Sequence, residues 1–150
     1  MRAVIQRVLE SSVEIGEREV ARIGSGLVIL LGIEDCDDGG DVEWLAGKIA
    51  RMRIFADEEG RMNRSVVETG GGVIVVSQFT LHASTKKGNR PSFLRAAAPG
   101  HSEPLYEAFC RAMEAETGRP AGRGEFGADM KVALVNDGPV TIVIDSRARE

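Results

Sequence analysis

The chain has 150 residues, 43% of them hydrophobic and 28% charged, with a formal net charge of -4 at pH 7. That is the composition of one globular domain with room for a substantial core. The acidic total excludes a chain coated in positive charge for sequence-independent nucleic-acid binding, and no apolar run approaches the roughly 20 residues that would span a bilayer.

The opening stretch, MRAVIQRVLESS, has only short apolar pieces broken by Arg2, Gln6 and Arg7. It does not read as a secretory signal, so the expected location is cytoplasmic. Residues 1–33 read as strands. RAVIQRV alternates weakly, SSVEI and REVARI flank a hairpin turn at GE, and GLVILLGI is a short apolar run suited to a buried strand. After the acidic loop EDCDDGGD, a helix pattern begins at Asp41. Val42, Leu45, Ala46, Ile49 and Ala50 make one apolar stripe, with Asp41 as the expected cap. RIFADEEGRMN reads as a short strand and a turn, and VIVVSQFTL as a strand. Residues 83–100 lack a period and are expected to form a covering loop. A second helix is expected to start at His101 or Ser102, with Pro104 early in it and Gly118 at its end. MKVALV and PVTIVID read as the last strands, joined through NDGP. This order predicts one α+β domain over 1–150, with a largely antiparallel or mixed, barrel-like sheet and two main helices.

The two cysteines, Cys36 and Cys110, form no CxxC pair and read as inert thiols. The two histidines, His82 and His101, have no metal-ligand spacing. No metal and no cofactor are expected. The stretch from Lys86 to Arg95 contains Lys87 and Arg90 and no acid. It is either a solvated loop or a local contact for RNA phosphates.

Two motifs carry chemistry. In VVSQFTLHAST two core valines give way to Ser77, Gln78, Thr80, His82, Ser84 and Thr85. Continued strand geometry would place Gln78, Thr80 and His82 on one face, with Ser77 and Phe79 on the other. Thr80 is then a nucleophile with His82 as a weak base, a ligand-contacting hydroxyl, or merely part of a strand end. The second motif is NDGPVT, from Asn136 to Thr141. By itself it is a turn signal, but Gly138 can take backbone angles closed to other residues, and an X-Pro bond such as that of Pro139 is the usual place for a cis peptide. A cis bond would set neighbouring carbonyls side by side, a receptor for an ammonium group.

SQFTL at 77–81 and NDGPVT at 136–141 resemble the paired signatures of the D-aminoacyl-tRNA deacylases, the chiral proofreading enzymes of translation. IQRV, GLVILLGIE, RIFADEEGRMN, RPSF, LYEAF and GADMKVALV also resemble family sequence, in family order. The resemblance covers essentially the whole chain, leaving DSRARE, roughly 145–150, as a variable tail. It implies hydrolysis of the ester between a D-amino acid and the terminal adenosine of tRNA, by a homodimer without metal or membrane. Gly138 and Pro139 of one subunit would complete a pocket made by Ser77, Gln78, Phe79 and Thr80 of the other. Their carbonyls would hold the ammonium, and an L side chain would strike the wall. Glycine, with no side chain to clash, would be accepted to some degree.

Backbone N–H groups around Phe79 and Thr80 would stabilise the oxyanion. The attacking group would be the Thr80 hydroxyl or, as the favoured reading, water assisted by the neighbouring ribose hydroxyl. Arg7 would brace the Gly-Pro loop, supported by Asn136, and Lys86, Lys87 and Arg90 would meet tRNA phosphates. The rival readings are a general esterase with Thr80 as nucleophile and a non-catalytic module that binds RNA ends.

Overall fold

The first strand organises everything after it. In the computed structural model, which describes residues 1–150, β1 (Arg2–Ile15) pairs antiparallel along one edge with β3 (Gly26–Gly32) and then β2 (Arg18–Ile23). Along its other edge it pairs antiparallel with the long β8 (Lys131–Asp145). β6 (Gly72–Ser77) lies parallel to β3, and the short β7 (Gly122–Arg123) lies parallel to β6. The order β2-β1-β3-β6-β7, with β8 on β1, is a mixed sheet curled into a nearly closed barrel.

Alternation along the strands makes two cores. Ile5, Leu27, Ile29, Leu31, Val73 and Val75 face the helices. Val8, Val13, Val28, Ile74 and Val76 fill the inside of the curl. Burying both faces explains why GLVILLG and GVIVVS are continuous apolar runs.

The expected two main helices are α1 (Gly39–Arg51) and α3 (Pro99–Thr117), and a third, α2 (Val66–Thr69), has only four residues. α1 starts two residues earlier than its apolar stripe suggests. Asp38, not Asp41, is the cap: its carboxylate accepts from the N–H groups of Gly40 and Asp41, and the Asp41 carboxylate accepts in return from the Asp38 N–H. This reciprocal box outweighs the poor helix propensity of Gly39 and Gly40. α3 likewise begins at Pro99, whose missing N–H costs nothing at the first helical position, and Pro104 lies inside the helix. Between the helices, β4 (Phe55–Ala56) and β5 (Met62–Arg64) make a small hairpin.

The largest departure from the sequence reading is in β8. NDGP does not join two strands in a hairpin. One strand runs through it, paired with β1 on both sides, and residues 137–140 bulge out of the sheet. The turn chemistry is real, but it is spent on a local excursion rather than a reversal.

Beyond β8 the chain stays attached. Ser146 is buried, its hydroxyl donates to Asp41, and Arg147 pairs with Asp37 and Asp41. Burial pushes the Asp41 carboxyl up, but hydrogen bonds from Ser146 and the Asp38 N–H, with Arg147 nearby, outweigh it and hold the group below the usual carboxylate range. Asp145 is depressed in the same way: burial is outweighed by the Arg147 N–H and by Arg2. A carboxyl depressed by folding stabilises the fold above its unfolded value, near 3.9, and that contribution disappears as pH falls through the folded value. Asp41→Asn is therefore expected to lower the melting temperature at pH 7, with the gap to the parent closing as melts are taken toward pH 3. A gap that stays constant with pH would show that charge is not what Asp41 contributes. No helix is long and apolar enough to cross a membrane.

Candidate active site

β6 ends at Ser77. The Gln78 N–H donates to the Leu31 carbonyl at 2.8 Å, holding the chain to β3, and Phe79–His82 then forms a single 3-10 turn. Strand alternation therefore stops at Ser77 and does not extend through the motif, contrary to the expectation from sequence. Gln78 and Thr80 still meet, because the turn folds them together: Gln78 Nε2 donates to Thr80 Oγ1 at 2.5 Å. His82 goes elsewhere. A 3-10 turn repeats every three residues, so His82 shares the side of Phe79 rather than that of Thr80. It is 1% exposed, packs against Gly32, and makes no hydrogen bond to Thr80.

This arrangement says what Thr80 can do. Its oxygen accepts a hydrogen bond from the Gln78 amide, which is not a base, so nothing draws its own proton away. The N–H groups of Phe79 and Thr80 open the 3-10 turn and donate to no backbone carbonyl. Both residues are exposed. Two adjacent free donors at a turn are suited to a developing oxyanion.

Ser77, Gln78 and Phe79 line a cavity of about 630 Å³, with Phe93, Phe126 and Met130 among its other walls. The Phe79 and Phe93 rings meet edge to face at 5.1 Å. Phe93 belongs to the strap formed by residues 83–98. Ser84 and Ser92 exchange backbone hydrogen bonds at its neck, and Ala97 donates to the Ile33 carbonyl at its far end. Lys86, Lys87 and Arg90 are exposed at its tip. Arg95 Nη2 lies 2.6 Å from Glu34 Oε1.

The bulge in β8 is built by side chains on both strands. Val8 pairs with Asn136 and Gln6 with Thr141, so residues 137–140 stand opposite Arg7 alone. Asn136 Nδ2 donates to the carbonyls of Arg7 (2.9 Å) and Val140 (3.2 Å), closing the neck of the bulge. Arg7 Nη1 donates to the Ile54 carbonyl at 2.5 Å, and its Nε lies 3.0 Å from Asp137 Oδ2. Thr141 Oγ1 donates to Gln6 Oε1. At the crest the Gly138–Pro139 peptide is cis, with Gly138 at φ +122°. Gly138 and Pro139 are exposed, and neither lines the cavity at Ser77–Phe79. One chain thus presents both motifs without joining them.

Asp137 and Phe93 escaped the sequence reading as site residues. Asp137 had a signal, an acid inside the motif with a basic residue, Arg7, opposite it. Phe93 had none beyond its place in RPSF. Cys110 is buried, and burial pushes its thiol up to about 11, so it stays protonated and unreactive at neutral pH. No three His, Cys, Asp or Glu side chains gather where they could hold a metal ion.

A barrel with free backbone donors at a strand end, beside a roomy cavity and without an acid–base pair, suits hydrolysis of an acyl group that is already activated. The chain belongs to the D-Tyr-tRNA(Tyr) deacylase family, whose model matches residues 4–145. It is 63% identical over 150 residues to the D-aminoacyl-tRNA deacylase of Opitutus terrae and 58% identical over 150 residues to that of Parabacteroides distasonis, covering 100% of each chain. Among solved structures it is similar to a c-Myc DNA unwinding element binding protein, at 37% identity and a TM-score of 0.90, covering 97% of this chain and 98% of that one. A probable eukaryotic D-amino acid tRNA deacylase, 18% identical with a TM-score of 0.82 over 95% of this chain and 97% of that one, shares the fold.

Proposed function

We infer that the protein is a D-aminoacyl-tRNA deacylase, and that a second copy of the chain completes its active site. The observation that carries this reading is a site made of backbone groups in two halves: free N–H donors at Phe79 and Thr80, and an exposed, braced Gly138–Pro139 bulge. Backbone can hold the parts common to every aminoacyl ester without reading a side chain. The Gly138 and Pro139 carbonyls of one subunit take the ammonium in the pocket of the other. A D side chain then points out, and an L side chain meets the wall. The cavity beside Phe79 takes the terminal adenosine, and the exposed Lys86, Lys87 and Arg90 face RNA phosphates.

The pairing of two chains is supported by β8. It bonds only to β1, leaving its other edge open, and it exposes Leu134, Val135 and Val143.

In the reaction, a water oxygen attacks the ester carbonyl carbon. The ribose hydroxyl beside the ester orients that water, and the Phe79 and Thr80 N–H groups hold the oxyanion. The bond from carbon to the ribose oxygen then breaks and that oxygen takes a proton, giving free D-amino acid and tRNA. Gln78 and Ser77 orient the ester. Thr80→Val is accordingly expected to keep kcat within about 10-fold of the parent, with no acyl-enzyme trapped on acid quench. A loss of about 10⁴-fold or more, the scale for removal of a nucleophile, would return the attack to the hydroxyl.

The test of the function is hydrolysis of D-tyrosyl-tRNA, L-tyrosyl-tRNA and glycyl-tRNA by purified protein with chelator present. Fast loss of the D ester, partial loss of the glycyl ester and a spared L ester are expected. Equal loss of D and L esters would overturn the chiral pocket. Loss of neither would leave a module that binds RNA ends.

A further inference from the structure

His82 is the one buried titratable side chain next to the site that the chemistry above leaves unused. It closes the Phe79–His82 turn, and its side chain is fully buried. Neither ring nitrogen has a hydrogen-bond partner. Its Nδ1 lies 3.5 Å from Glu34 Oε1, at the limit of hydrogen-bond reach without making the bond, while Arg95 already holds that same oxygen at 2.6 Å. On the ring's other side lies Gly32, where a Cβ would sit 3.0 Å from Nε2. The charged groups facing the turn are thus Glu34, Arg95 beyond it, and Arg2, whose Nη1 donates to the Leu81 carbonyl at 2.9 Å.

A buried polar group without a partner is costly, and a leucine of similar bulk would fill the space without that penalty. An imidazole in such a place, one short movement from a carboxylate, has the form of a contact completed only when the site is engaged. The turn it anchors is short, and its first two N–H groups are the proposed oxyanion donors, so a small displacement at residue 82 is passed to residues 79 and 80 through three peptide units.

We propose that His82 is a positioning residue: in the substrate complex its Nδ1–H donates to Glu34, and this bond sets the Phe79–His82 turn so that the Phe79 and Thr80 N–H groups meet the oxyanion. The proposal rests on the deacylase reading given above. It assigns His82 no contact with substrate and no proton transfer. Because the bond aligns donors to the transition state, its loss falls on kcat and spares KM.

The experiment measures kcat and KM for D-tyrosyl-tRNA, with melting temperatures, for the parent, His82→Leu, His82→Asn and Glu34→Leu. Leucine keeps bulk without a donor, and asparagine places an amide nitrogen where Nδ1 stands. Turnover by the parent first secures the deacylase reading; its absence would fail that reading and not this one. Expected are a loss of about 10-fold in kcat for His82→Leu, KM within twofold, and a melting temperature equal to or above the parent's, since misplacement of catalytic groups by a fraction of an ångström acts on this scale. His82→Asn restores most of kcat. Glu34→Leu, which removes the acceptor, lowers kcat similarly, and combining it with His82→Leu adds little further loss. Parental kcat in His82→Leu, no recovery in His82→Asn, or full additivity with Glu34→Leu would each overturn the proposal and leave His82 as core filling.

Discussion

Gly138→Ala is expected to lower kcat/KM for D-tyrosyl-tRNA by about 10²–10³-fold while the protein remains folded. The reason is local and steric. Gly138 sits at φ +122°, where an L side chain costs about 1–3 kcal/mol. The added Cβ would lie 2.8 Å from Val140 Cγ2 and 3.0 Å from Arg7 Nη2. Val140 is half-buried against the main core, and Arg7 is fixed at both Ile54 and Asp137, so neither yields freely. The crest of the bulge must move instead, carrying with it the carbonyls proposed to hold the ammonium. Because the crest is exposed and stands outside both cores, the strain is expected to cost only a few degrees of melting temperature. Steady-state kinetics beside a thermal melt distinguish the two effects. Unchanged kcat/KM, or a loss explained by unfolding, would remove Gly138 from substrate recognition.

The second large effect belongs to Arg7→Met. The arginine ties the bulge to Asp137 and to the Ile54 carbonyl on the segment leading into β4. Methionine fills the space but makes neither contact. Asp137 is 37% exposed, so water takes over part of its stabilisation and the lost pair is discounted accordingly. A loss of about 1–2 kcal/mol, about 3–6 °C at this chain length, is expected. The effect on kcat/KM is larger, about 10²-fold, because the crest loses two of its anchors. Arg7→Lys does not rescue: a single ammonium has no planar fork with which to reach both partners. Recovery in the lysine variant would show that Arg7 supplies only charge.

These residues also mark where the sequence could be read and where it could not. The strands and both main helices were legible because alternation and the apolar stripe of Val42, Leu45 and Ile49 record which faces are buried. Asp38 was harder to see as a cap, since two glycines separate it from the stripe. NDGP does not disclose its topology, because turn residues specify a local backbone and a bulge uses the same conformations as a hairpin. Only the pairing of both flanks with β1 distinguishes them, and pairing is long-range. Gln78 and Thr80 meet under either geometry, since alternation and a 3-10 turn both bring them together, but only the turn sends His82 into the interior. Nothing in the spacing points to Glu34 as its neighbour, since that residue, just past the end of β3, comes to the contact from nearly fifty residues away.

The bulge inside β8 also fixes which changes of length the gene can accept. Val140, Ile142 and Ile144 pack on the main core after the bulge, and Ser146 reaches Asp41 beyond them. Residues 137–140 stand opposite Arg7 alone, so the pairing of Thr141 with Gln6 does not depend on how many residues the crest holds, and a change of length there falls on the shape of the crest. Past the crest that slack is gone. Each successive side chain of the paired segment faces the opposite way, so one residue inserted between Thr141 and Ile144 would carry Ile144 out to solvent. The paired segment keeps a reading frame of its own, and the bulge is the one place in the strand where that frame can be reset.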